Sequence, residues 1–235
     1  MRILYRDEHV IAVDKPAGVL TVPGRGETTP PLIDDVRVEE PGALAVHRLD
    51  RDTTGVVVFA LNAEAHRALN AAFEGRRAEK SYLALVKGDL AETQRVDLPL
   101  IEGRKGSMRV AAKEKDAQAA TTVIEPRERF GKYTLCACTP RTGRTHQIRV
   151  HLSAIGHPLA VDPRYGDDRP LCIGELWSGA PDPDGIVLGR TPLHASSLRL
   201  PHPAGKTWLS VEAPLADDIA RALDLLRAAR RYEEG

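Results

Sequence analysis

The run Val56-Val57-Val58-Phe59-Ala60-Leu61 constrains this chain more than any other stretch. It is apolar at every position, so as a strand it needs both faces covered. An isolated hairpin or a half-solvated sheet edge cannot supply that cover. Thr54-Gly55 opens the run, and Asn62 follows it, a residue type that caps helices. Ala65, Leu69, Ala72 and Phe73 then recur at helical spacing, which predicts a helix through about Gly75.

Around this unit most of the chain has strand texture. Ile3 to Tyr5 and Val10 to Asp14 read as a hairpin that Lys15-Pro16-Ala17-Gly18 stops, because proline cannot donate to a ladder. One short helix is expected between Pro30 and Gly42. Ser81 to Lys87 is a strand with Tyr82, Ala84 and Val86 on one face. Short strands at Val96–Leu100, Met108–Ala111 and Ala119–Ile124 give a meander, followed by Tyr133–Cys138. The period then changes. Ile148, Leu152 and Ile155 mark a helix with Thr145 as N-cap and Gly156 as stop, so Arg149 rides the helix and Arg144 sits at its start. Asp167 to Gly189 is rich in Pro, Gly and Asp and reads as an irregular excursion. Leu193–Leu200 and Thr207–Val211 form a last hairpin, and Asp217–Tyr232 an amphipathic helix. The fold class expected is α+β, a single domain over 1–235 dominated by antiparallel strands.

The 235 residues suffice for a substantial core, and the formal net charge is zero. A nucleic-acid partner would therefore need a local basic surface, and 4% aromatics leave few rings for reading many bases by stacking. Cys136, Cys138 and Cys172 lack the paired spacing of a zinc site; the first two alternate on one strand face as core thiols. No apolar run approaches the ~20 residues that span a bilayer, and the N-terminus has no signal-peptide core. Cytoplasmic residence and no membrane partner are the expectation.

Two polar stretches stand out. His47-Arg48-Leu49-Asp50-Arg51-Asp52-Thr53 precedes the apolar run, and Arg141-Thr142-Gly143-Arg144-Thr145-His146-Gln147-Ile148-Arg149-Val150-His151 opens the later helix. Asp50 reads either as a turn aspartate paired with Arg48 or Arg51, or as a nucleophile or base. Arg149 reads as a phosphate contact or surface bridge, or as the guanidinium that keeps such a carboxylate ionised. Tyr82 is a half-buried strand tyrosine or an aromatic face for a base. The loop Gly24-Arg25-Gly26 reads as a plain turn, since it lacks the strand–helix context of a phosphate loop. No zinc-hydrolase helix, nucleophile elbow, Gly-Lys-Ser/Thr loop or dinucleotide fingerprint is present.

Together these stretches resemble the signatures of the RluA-type RNA pseudouridine synthases. Asp14-Lys15-Pro16-Ala17-Gly18, Lys80-Ser81-Tyr82-Leu83-Ala84, Gly156-His157-Pro158-Leu159 and Leu193-His194-Ala195 match in the same order. The resemblance implies the pseudouridine synthase fold, a long, bent, mainly antiparallel sheet with the cleft across its middle. It implies an isomerase that needs no metal and no cofactor. Asp50 matches the catalytic aspartate, Arg149 the arginine that pairs with it, and Tyr82 the active-site tyrosine. Arg48 matches a residue that fills the gap left by a flipped uridine, and Ile148 and Leu193 match apolar pocket positions. Arg144 is added as a substrate contact. Val22-Pro23-Gly24-Arg25 resembles short members that modify tRNA anticodon stem-loops and 23S rRNA. The implied partner is a structured tRNA or rRNA stem-loop, gripped by a monomer without a separate RNA-binding domain ahead of Ile3. The competing expectation is a non-catalytic RNA-binding or chaperone protein on the same fold.

Overall fold

A computed structural model describes residues 1–235 except Arg25, Arg104, Lys105, Ala112, Lys113 and Gly235, and except the side chains of Glu233 and Glu234. The Gly24–Gly26 turn and the Glu102–Gly106 connector thus lie partly outside the described residues.

β1 (Arg2–Arg6) and β2 (Val10–Lys15) pair antiparallel. Asp7 closes their turn by accepting the His9 and Val10 amides at 2.8 Å each. α1 (Leu32–Glu39) is the short helix expected before Gly42. β3 (Leu44–Ala45) leads to β4 (Thr54–Ala60), in which every residue is buried. α2 (Ala63–Glu74) starts at Asn62, whose Oδ1 accepts the Ala65 amide at 2.9 Å. β5 (Glu79–Lys87) follows. The run Val96–Leu100, expected as one strand, is divided between β6 (Gln94–Asp97) and β7 (Leu100–Glu102), because Pro99 interrupts the ladder. β8 (Met108–Val110), β9 (Thr121–Arg129) and β10 (Tyr133–Pro140) complete the meander.

α3 (Gln147–Ala154) begins one residue later than its cap signal suggested. Its N-cap is His146, with φ 53° and no side-chain cap, and not Thr145. The Gln147 side chain takes over the local role, accepting from the Thr142 hydroxyl and the Arg144 amide. The segment expected to be irregular contains β11 (Leu171–Cys172), α4 (Ile173–Leu176) and β12 (Ile186–Leu188). β13 (Leu193–Pro201) and β14 (Trp208–Glu212) form the last hairpin, and α5 (Asp217–Glu234) ends the chain. The architecture is α+β with mixed, mostly antiparallel pairing.

Two compact units divide the chain: Met1–Tyr82 with His194–Pro214, and Leu83–Leu193 with Leu215–Gly235. In the first, the strand order is β1-β2-β4-β13-β5, with β14 on β13 and β3 on β4. β4 is covered on both faces, as its composition demands. Val56, Val58 and Ala60 pack with Ala65 and Leu69 of α2. Val57 and Phe59 pack with Leu32, Ile33 and Val36 of α1. Burying each such large side chain is worth about 1.5–3 kcal/mol. β4 and β13 run parallel, with Thr54 opposite His194 and Gly55 opposite Ala195. Gly55 has φ 106°, and a Cβ there would lie 2.2 Å from the Ala195 carbonyl oxygen, so only glycine fits.

In the second unit the order is β5-β10-β9-β6, beside a β7–β8 ribbon and a β11–β12 ribbon. Ile219, Ala222, Leu223 and Leu226 of α5 pack with Leu171, Ile173, Leu176, Val187 and Leu188. Those apolar residues are what orders the Pro/Gly/Asp-rich segment. Cys136 and Cys138 are buried side by side on β10, and burial raises both thiols. Among the described residues no helix is long and apolar enough to cross a membrane.

Candidate active site

Asp50 lies on the loop between β3 and β4, in the first unit, and is partly accessible. The loop is held through its main chain. Thr53 N–H donates to the Asp50 carbonyl at 3.2 Å, making a tight turn. The buried Thr21 hydroxyl accepts the Leu49 amide at 3.1 Å and donates to the Leu49 carbonyl at 3.3 Å. Lys15 is fully buried, and its Nζ donates to the carbonyls of Pro16, Val19 and Arg51 at 2.8, 2.6 and 2.7 Å. An ammonium removed from water is tolerated only with such a set of acceptors. Lys15 thus ties the turn after β2 to the residue that follows Asp50.

His47 anchors the other side. Its Nε2 accepts the Val58 amide of β4 at 3.0 Å, and its ring stacks on Phe73 at 4.8 Å. Burial, helped by nearby Lys80, lowers its pKa to about 3. The ring is therefore neutral, and accepting at Nε2 places its proton on Nδ1. Residues 47, 49, 51 and 53 are all fixed, so the direction in which Asp50 leaves the loop is set by the scaffold.

Tyr82 shares this unit. It packs against the apolar cluster that contains Leu49, Val57 and Ala195. Burial, then the Asp50 carboxylate, pushes its phenol well above the ordinary value. Tyr82 thus stays protonated near neutral pH, within electrostatic reach of Asp50. Arg48 is exposed and makes no ion pair among the described residues. Arg51 does not serve Asp50 as the sequence allowed: its guanidinium pairs with Glu27 and donates to the Gly18 carbonyl.

The remaining expected residues belong to the second unit. Arg149 is buried on α3, and the carboxylate paired with it there is Asp162. Nε donates to Oδ2 and Nη2 to Oδ1, both at 2.8 Å. Burial works to raise the Asp162 pKa, but the hydrogen bonds and charge of Arg149, with the Arg164 and Tyr165 amides, bring it below the ordinary value. The Arg149 guanidinium also lies over the Tyr165 ring, 5.1 Å from its centroid. Ile148 and Leu193 are buried. Arg144 donates from Nε to the Ala119 carbonyl at 3.4 Å and borders a cavity of about 330 Å³ with Thr145, Glu102, Asp116 and Gln118.

The sequence singles out Asp50, Tyr82 and Arg149, and the structure places Asp50 and Tyr82 in the same unit; the sequence assigns no site role to Lys15, Thr21, His47, Asp162 or Tyr165. A lysine closing the apolar run Val10–Val13 and a histidine three residues before Asp50 were the available signals for two of these. Asp162 sits in Leu159-Ala160-Val161-Asp162-Pro163, where an acid directly after three apolar residues hints at a buried carboxylate.

Known proteins agree on the family. A family model described as RNA pseudouridylate synthase matches residues 9–154. The ribosomal large subunit pseudouridine synthase D of Nitrosomonas europaea is 40% identical over 237 residues, covering 97% of this chain and 65% of that protein. The ribosomal large subunit pseudouridine synthase C of Escherichia coli O157:H7 is 37% identical over 236 residues, covering 97% of this chain and 70% of that protein. This chain therefore spans about two thirds of the length of the curated relatives it matches. The solved structure of human RNA pseudouridylate synthase domain containing 4 superposes with a TM-score of 0.76 at 23% identity, covering 96% of this chain and 93% of that one. That likeness shows the fold.

Proposed function

This chain belongs to the RNA pseudouridylate synthase family, and we propose that it isomerises uridine to pseudouridine in structured RNA, with Asp50 as the catalytic group. The reaction conserves every atom of the nucleotide except for exchange of a proton. The N1–C1′ bond breaks, the uracil turns, C5 bonds to C1′, and the C5 proton leaves to solvent. A carboxylate cannot reach C1′ of a stacked nucleotide, so the uridine must flip out. Two routes are open to an aspartate at the ribose: attack on C1′, or removal of the 2′ proton to give a glycal.

The observation that carries this reading is the Asp50 loop itself. A carboxylate whose flanking backbone is pinned by Lys15, Thr21 and His47, with a protonated Tyr82 near it, is a positioned acid–base or nucleophilic group. Tyr82 offers a face to the base and an oxygen near the departing C5 proton. The family resemblance assigns Arg149 to hold Asp50 ionised. It assigns Arg48 to the gap left by the flipped uridine, and Ile148 and Leu193 to the pocket wall. Arg144 is assigned to the RNA backbone. The names of the relatives favour large-subunit ribosomal RNA as substrate, with a stem-loop as the recognised element and tRNA as the competing target. We place the protein in the cytoplasm as a monomer acting as one catalytic domain.

The test is a substrate comparison. Transcripts of 23S rRNA fragments and a tRNA pool, labelled with tritium at uridine C5, are incubated with the protein, and label in water is counted. Pseudouridines are then located by carbodiimide-dependent primer-extension stops. Release from an rRNA fragment with one mapped stop supports the reading. Binding of both RNAs without release from either supports a non-catalytic RNA-binding protein instead.

A further inference from the structure

We infer that Asp162 is a positioning residue for catalysis, acting by holding the guanidinium of Arg149 in one orientation. This rests on the reading of Arg149 as part of the catalytic machinery.

Asp162 is 1% exposed, and its carboxylate bonds among the described residues lead to the same small region. Oδ2 accepts Arg149 Nε. Oδ1 accepts Arg149 Nη2, the Arg164 amide at 3.0 Å and the Tyr165 amide at 3.1 Å. Its own carbonyl accepts the Gly166 amide at 3.0 Å. The carboxylate is thus locked into a turn before it meets the guanidinium. A bidentate pair between a planar fork and a fixed carboxylate sets the plane and the direction of the arginine, which a single contact does not.

Tyr165 supplies the second restraint. Its ring lies beneath the guanidinium. Its hydroxyl accepts the Met108 amide at 2.8 Å and lies 2.8 Å from His146 Nδ1. Its carbonyl accepts from the Ser153 hydroxyl at 2.7 Å. The ring is therefore tied through its hydroxyl to β8 and to the start of α3, and its backbone is tied to the last turn of α3. Arg149 sits on α3 between those last two anchors. A buried arginine needs one counter-charge for its own solvation. This one receives a pre-locked carboxylate and a pre-locked ring, an arrangement suited to orientation.

The test uses the full chain and four proteins beside wild type: Asp162→Asn, Asp162→Glu, Arg149→Lys, and the double variant Asp162→Asn with Arg149→Lys. Turnover and KM for the RNA substrate are read with a thermal melt. Asp162→Glu keeps the charge and moves it by one methylene, so it reports position even where Asp162→Asn fails to fold. The expected result is a fall in kcat on the order of 10- to 100-fold for both Asp162 variants, the cost of a displacement of about 1 Å. KM stays within about threefold, since the contact is not with RNA. Adding Asp162→Asn to Arg149→Lys lowers kcat no further, because both act through one group. Additive losses, or an unchanged kcat in a folded Asp162 variant, would overturn the inference. An unchanged kcat in Arg149→Lys would instead remove the assigned role of Arg149, and the inference with it.

Discussion

The two candidate segments are held in different ways. The Asp50 loop of the first unit is gripped by main-chain atoms: Lys15 on the Arg51 carbonyl, Thr21 on both polar groups of Leu49, and His47 on the Val58 amide. Arg149 of the second unit is gripped by its side chain, through Asp162 and the ring of Tyr165. The difference suits the roles proposed for each group. A carboxylate proposed to attack or take a proton gains from a scaffold that fixes its direction through the backbone. A cation proposed to supply field and hydrogen bonds tolerates a carboxylate on one side of its fork.

The main-chain grip breaks most severely at Lys15. Lys15→Met keeps the length but leaves three carbonyls short of a buried donor. At about 1–3 kcal/mol for a single unsatisfied group, the total loss is expected to reach at least 3 kcal/mol. Urea unfolding measures it as a shift in midpoint at unchanged slope. Residual activity per folded molecule should also drop, because the Asp50 loop loses its tie to β2. A midpoint within error of wild type would show that the turn is held by other contacts.

His47 sharpens the same comparison by pH. Its folded pKa is depressed from the ordinary 6.5 to about 3, so the unfolded chain binds its proton first as pH falls. The stabilisation it contributes is complete above pH 6.5 and is lost progressively between there and pH 3. Between pH 7 and 5 this amounts to on the order of 2 kcal/mol. His47→Gln should flatten that slope in unfolding measured across this window. An equal slope in both proteins would mean the ring is not held neutral.

Arg48 marks the edge of the grip. It neighbours Asp50 in sequence yet is exposed and makes no ion pair among the described residues. Arg48→Ala should change stability by less than about 0.5 kcal/mol. Its effect should fall on turnover of folded RNA, and much less on a short unstructured oligonucleotide that needs no gap filled on flipping.

The elements were legible in the sequence where side-chain period carries the physics. The buried β4, the Asn62-capped α2 and the α5 stripe are examples. Legibility failed where distant partners decide. Leu171, Ile173, Leu176, Val187 and Leu188 have no period of their own, and α5 orders them. His146 in place of Thr145 as N-cap reflects the Gln147 side chain, which accepts the Arg144 amide and the Thr142 hydroxyl in a way no cap motif announces. In the candidate site, Asp50 and Tyr82 stand out in the sequence because their motifs are distinctive. Lys15 and Asp162 were passed over because burial converts ordinary charged residues into anchors only after the fold has formed. Arg51, adjacent to Asp50 in the chain, turned out to serve Glu27.

The measurement that bears most directly on the central claim compares wild type with Asp50→Asn in single-turnover tritium release from an RNA substrate, at concentrations where both proteins are saturated with RNA. Wild type is expected to release label stoichiometrically. The asparagine variant, with the same shape and no carboxylate, is expected to bind that RNA within about threefold and to release label at least about 1,000-fold more slowly. Release by Asp50→Asn within tenfold of wild type would contradict the assignment of Asp50.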